Sequence, residues 1–119
     1  NQQKRKVVKI SALGEVAEIT SEQQREETRY RRQRTWSLSK PTVWEHKRTF
    51  RLSMTMIDQF SDFDPINILA TILFRKLRSS IYTPTDIIQG DVYISNETEH
   101  EIVDFTLEDL HYILRKLPG

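Results

Sequence analysis

The chain has no cysteine. That excludes a disulfide framework, a thiolate zinc site and a cysteine nucleophile, and it fits a reducing compartment. Only three glycines occur, Gly14, Gly90 and Gly119. They stand too far apart to build a phosphate-cradling loop. The three histidines, His46, His100 and His111, have no second His or Cys at metal-ligand spacing, so no zinc site is expected. No apolar run approaches the roughly 18 residues of a membrane span, and the start of the chain has no apolar signal segment. An intracellular protein, cytoplasmic or nuclear, is therefore expected, with no membrane span, metal or small-molecule cofactor. No G-x-S-x-G elbow is present, and no two carboxylates stand out as an acid–base pair. With no catalytic constellation to assemble, the expected role is non-enzymatic.

A length of 119 residues predicts one domain, 1–119, large enough to bury a core. Residues 1–5 read as a disordered start. A first residue of Asn rather than Met is expected of a fragment or processed product. The net charge of +1 hides an uneven distribution. Residues 1–51 hold 13 Lys and Arg against 6 Asp and Glu, a charge of +7; residues 52–119 hold 5 against 11, a charge of −6. Such halves either neutralise each other inside one fold or meet a charged partner, including a second copy in a homo-oligomer.

The stretch 28–57 holds both tryptophans and a dense set of basic residues. Trp44, His46, Arg48, Phe50, Leu52, Met54 and Met56 alternate with polar residues. Period 2 assigns the two sets to opposite faces of a strand. Thr28, Tyr30, Arg32, Arg34, Trp36 and Leu38 alternate likewise. Pro41 cannot donate to a ladder, which predicts a turn at 39–41. That turn pairs Leu38 with Thr42, sets Trp36 across from Trp44, and sets Tyr30 across from Phe50. It also makes Arg32 face Arg48 and Arg34 face His46. Unpaired cations in a core are costly, so this end of the hairpin is expected in solvent or against an anion. Residues 21–27 read as a helical turn or loop, with Ser21 and Gln24 in capping-box spacing. Within a longer helix, Glu27 and Arg31 would form an i,i+4 pair.

The other elements follow from periodicity. Residues 6–20 predict two short strands joined at Gly14-Glu15. Residues 58–64 read as an acidic loop; Asp58, Asp62 and Asp64 match no full calcium loop. Asp64 and Pro65 suit a helix cap and first turn, and 65–80 carries a helical apolar stripe. Residues 86–105 predict a second hairpin, with Gly90 at a bulge and a polar turn at 96–100. The sequon Asn96-Glu97-Thr98 is expected to be unused. Residues 106–117 predict a last helix, with Thr106 and Asp109 in capping-box spacing.

The fold expected is α+β: an antiparallel sheet built from hairpins, with two helices packed on one face. The function expected is binding of RNA or single-stranded DNA. Arg29, Arg31, Arg32, Arg34, Lys47, Arg48 and Arg51 would contact phosphates, and Trp36, Trp44 and Tyr30 would offer stacking surfaces. The competing expectation is a protein-interaction or self-assembly module that uses the two charged halves. Arg32 and Arg34 also precede Ser37 as basophilic kinases prefer; a phosphate there would weaken anion binding.

Overall fold

The computed structural model describes residues 5–37, 42–44, 48–57, 65–77, 87–97 and 102–116, with the backbone alone at 42–44, 48–50 and 102. In chain order the elements are strands β1 (Lys6–Ile10) and β2 (Val16–Thr20), helix α1 (Ser21–Glu27), strands β3 (Gln33–Ser37), β4 (Thr42–Trp44), β5 (Arg48–Phe50) and β6 (Leu52–Ile57), helix α2 (Ile68–Leu77), strands β7 (Val92–Glu97) and β8 (Ile102–Val103), and helix α3 (Leu107–Lys116). Five strands form an antiparallel sheet in the order β2-β1-β7-β6-β3, and β8 pairs with the end of β7. The class is α+β.

Alternation in the strands decides which residues meet the helices. Val8 and Ile10 of β1, Val92 and Ile94 of β7, and Leu52, Met54 and Met56 of β6 share one face. There they pack with Ala70, Leu73 and Phe74 of α2 and with Leu110 and Ile113 of α3. Each fully buried side chain of this kind stabilises the fold by about 1.5–3 kcal/mol. Two helices on one face match the expectation. The intervening residues Val7, Tyr93 and Ile57 form a smaller cluster with Ile19 on the other face. The C-terminal end of α1 lies against that second face, where Glu27 meets Lys9 and Tyr93. The sheet is therefore not bare on its far side, and Ser53, Thr55 and Ser95 are buried too.

The hairpin β1–β2 forms as expected, with Gly14 at φ 93° in its connection. The hairpin β7–β8 also forms. Gly90 precedes β7 instead of bulging within it, at φ 77°, and its N–H donates to Pro65 O at 2.9 Å.

The register expected for 28–57 is overturned. Trp36 pairs with Met54 and Arg34 with Met56, in β3 and β6. Trp44 pairs with Arg48 and Thr42 with Phe50, in the separate two-stranded sheet β4–β5. The chain thus reverses between Trp44 and Arg48, and Arg32 does not face Arg48. The aromatic pairs suggested by the sequence gave way to a stronger demand. In the observed register Trp36 meets Phe74 of α2 edge-on, ring centroids 5.7 Å apart, and Met54 and Met56 enter the core. Of the strand expected over 28–38, the described residues form Gln33–Ser37, and 28–32 are turn and connection instead. The proposed turn at 39–41, the loop 58–64 with its three aspartates, His46, His100 and Thr98 lie outside the described residues.

Helix α2 begins later than its proline suggested. Asn67, 1% exposed, accepts from Ala70 N–H at 3.1 Å in the manner of an N-cap. Its amide donates to Ile10 O and Gly90 O, both at 2.9 Å, and so ties the helix to β1 and to the chain entering β7. Helix α3 starts with the expected capping box: Asp109 N–H donates to Thr106 Oγ1 and Thr106 N–H to Asp109 Oδ2, each at 3.1 Å.

Candidate functional site

The arginine-rich segment leaves the sheet through α1, and the ends of that helix determine where it goes. Thr20 caps α1, its side chain accepting from Gln23 N–H at 3.1 Å. The cap lies one residue earlier than the Ser21 spacing implied. Ser21 is instead buried and bound to the residue that precedes β1: its N–H donates to Arg5 O at 2.7 Å, and its hydroxyl accepts from Arg5 N–H at 3.3 Å. At the far end, Thr28 is 2% exposed, and both its N–H and its hydroxyl donate to Gln24 O.

Glu27 is held on the sheet side. It accepts from the Lys9 ammonium at 2.5 Å and from the Tyr93 hydroxyl at 3.1 Å. Lys9 also lies 3.8 Å from Asp91. Burial alone would raise the Glu27 carboxyl, but the Lys9 ammonium and the hydrogen bonds from Tyr93 and Gln23 outweigh it and leave the group below its ordinary value. The Tyr93 phenol is driven well above its ordinary value, first by burial and then by the Glu27 charge and hydrogen bond; Arg31 partly opposes the rise. The Glu27–Arg31 pair expected for a longer helix is replaced by these contacts, because α1 ends at Glu27.

Two anchored residues, Glu27 and Thr28, are thus followed by a turn that projects outward. Arg31 N–H donates to Thr28 O at 3.1 Å, closing it. Within the turn Tyr30 has φ 65°, a left-handed conformation that ordinarily selects Gly or Asn. Tyr30 is 93% exposed, and the Arg29 guanidinium stands 5.1 Å from its ring centroid. Arg29 also lies 3.6 Å from Glu26.

The expected site residues divide into two groups. Arg29, Arg31, Arg32 and Arg34 are all exposed and close together, on the turn and the start of β3. Trp36 follows on the same strand but is half-buried against Phe74, so its ring serves the core. Arg51 lies at the opposite end of β6. Its N–H donates to Asn96 Oδ1 and its carbonyl accepts from Glu97 N–H, both at 2.9 Å. Six residues of strand separate it from the Gln33–Ile57 end, about 20 Å. Arg48 lies on β5, its side chain outside the described residues, as is Lys47 altogether.

Among the described residues, no group of three His, Cys, Asp or Glu side chains could hold a metal ion. None of their helices is long and apolar enough to cross a membrane. No family model, curated protein or solved structure matches the chain.

Proposed function

We propose that this chain is a non-enzymatic binding protein that engages RNA or single-stranded DNA through residues 29–34. The observation that carries the reading is the projecting turn: four exposed arginines within six residues, mounted on an anchor made by Glu27 and Thr28. Guanidinium groups bind phosphates through paired hydrogen bonds, and a fixed turn reduces the entropy lost when they do. Among the described residues no carboxylate pairs with Arg31 or Arg32. Both side chains are exposed, where an anion can reach them. Arg34 extends the basic surface along β3, and Arg51 lies at the other end of β6.

Self-assembly through the two charged halves is the second reading. It has less support, because part of the asymmetry is neutralised within the fold by the ion pairs Arg5–Glu97 at 3.3 Å and Lys9–Asp91 at 3.8 Å.

The test is fluorescence anisotropy with a labelled, unstructured oligonucleotide at low salt. The reading expects binding at micromolar protein or below, weakened at least about tenfold by Arg31→Glu with Arg32→Glu. No binding by the intact chain overturns it.

A further inference from the structure

A tyrosine at positive φ, almost wholly exposed, serves no purpose in the packing of this fold. Its backbone conformation disfavours any side chain with a Cβ, so glycine at position 30 would be better for stability. Among the described residues, its ring belongs to neither buried cluster. Nearby residues of the turn have evident roles: Thr28 is a buried anchor, and Arg31 closes the turn through its N–H. Among the described residues, Tyr30 alone combines a positive φ on a non-glycine residue with near-complete exposure.

The surroundings of the ring indicate what it meets. Arg29 holds its guanidinium over the ring, and Arg31 and Arg32 follow directly in the chain. A flat π-surface with one cation over it and two more next in the chain suits a nucleobase flanked by its own phosphates. Duplex ends aside, a paired base offers no free face to such a platform, whereas an unpaired base does. Resting on the proposed nucleic-acid reading, and going beyond it, we infer that Tyr30 is a stacking platform for one unpaired base, with the adjacent phosphates held by Arg31 and Arg32. The strained turn presents the ring already outward, so it need not be reoriented when the base arrives. The ligand class is then single-stranded nucleic acid; the arginines alone would also accept duplex.

The experiment compares the intact chain with Tyr30→Ala, Tyr30→Phe and Tyr30→Gly. Three labelled probes are used: a single-stranded oligonucleotide, the same strand with abasic sugars in place of its bases, and a blunt duplex of equal length. Thermal unfolding is recorded for each variant. The intact chain should prefer the base-bearing strand to the abasic one. Tyr30→Ala should lose about 5- to 100-fold in affinity for the single strand and abolish that preference. Its affinity for duplex and abasic probes should change less than about twofold, since phosphate contacts remain. Tyr30→Phe should bind as the intact chain does, because stacking needs the ring and not the hydroxyl. Tyr30→Gly should unfold at a higher temperature and yet bind the single strand as poorly as Tyr30→Ala. Single-strand binding unchanged in Tyr30→Ala, or lowered equally for all three probes, overturns the inference while leaving the proposed function standing. Absence of binding by the intact chain to any probe overturns both.

Discussion

The Lys9 ammonium on β1 lies 2.5 Å from the Glu27 carboxylate, which closes the last turn of α1. This contact, with the Tyr93 hydroxyl as a second donor, fixes the point from which the arginine turn departs. Lys9→Met removes the cation and leaves a partly buried carboxylate with weaker compensation. The loss should be about 1–2 kcal/mol in urea denaturation. An unchanged midpoint would show that the pair is not needed to hold the helix end.

The same pair predicts a pH dependence. The Glu27 carboxyl is depressed below 4.5 in the folded chain. A depressed acid contributes its stability in full above the unfolded value and loses it as pH falls through the folded value. Stability should therefore decline as pH falls below 4.5, and the decline should be shallower in Glu27→Gln. Tyr93 acts at the other end, because its phenol is raised above 10.0. Stability should fall as pH rises past that value, and Tyr93→Phe should remove this alkaline component. Parallel pH–stability curves for all three proteins would contradict the assignment.

The Asn67 side chain makes three hydrogen bonds from a fully buried position. Asn67→Ala uncaps α2 and leaves Ile10 O and Gly90 O without its amide. The expected loss is about 2–4 kcal/mol by chemical denaturation. Asn67→Asp keeps the cap acceptor but lacks the amide donors, and should recover little of that loss. Recovery of most of it would assign the importance of Asn67 to capping alone.

The α+β class was legible because the apolar periodicities are strong: the alternation of β1 and the capping box of Thr106 and Asp109 appear where their spacing indicates, and Leu69, Leu73 and Leu77 of the α2 stripe meet the core, although Ile66 and Ile72 are exposed. The register of the central hairpin was not legible. Trp36 has aromatic candidates on its own hairpin and another, Phe74, on a helix far along the chain. Local alternation cannot weigh a cross-strand pair against a contact that forms only when α2 packs. The start of α2 was misread for a similar reason. Asp64-Pro65 is a good local helix signal, but Asn67 is selected by carbonyls of β1 and of Gly90, which only the fold brings near. Within the site, the run of arginines was visible. The turn was not, because Tyr30 fits an alternating strand pattern and nothing in a single sequence marks a tyrosine as left-handed.

Trp36 separates a packing role from a binding role. Its edge contact with Phe74 and its place beside Met54 assign it to the core margin. Trp36→Ala should cost about 1–3 kcal/mol in denaturation experiments. Once the variant is fully folded at low temperature, its affinity for single strands should stay within about threefold of the intact chain's, well short of a lost stacking contact. A large loss of affinity with little loss of stability would return Trp36 to the binding surface.

The central claim is that arginines of the 29–34 turn hold phosphates. The measurement that tests it most directly is the salt dependence of affinity for an unstructured single strand, from about 50 to 200 mM monovalent salt. Each phosphate contact contributes a slope of about −0.7 in log affinity against log salt, so Arg29, Arg31, Arg32 and Arg34 together predict about −2 to −3. Arg31→Ala with Arg32→Ala should make the slope shallower by about 1.4. A flat dependence in the intact chain, or an unchanged slope in that double variant, would contradict the account.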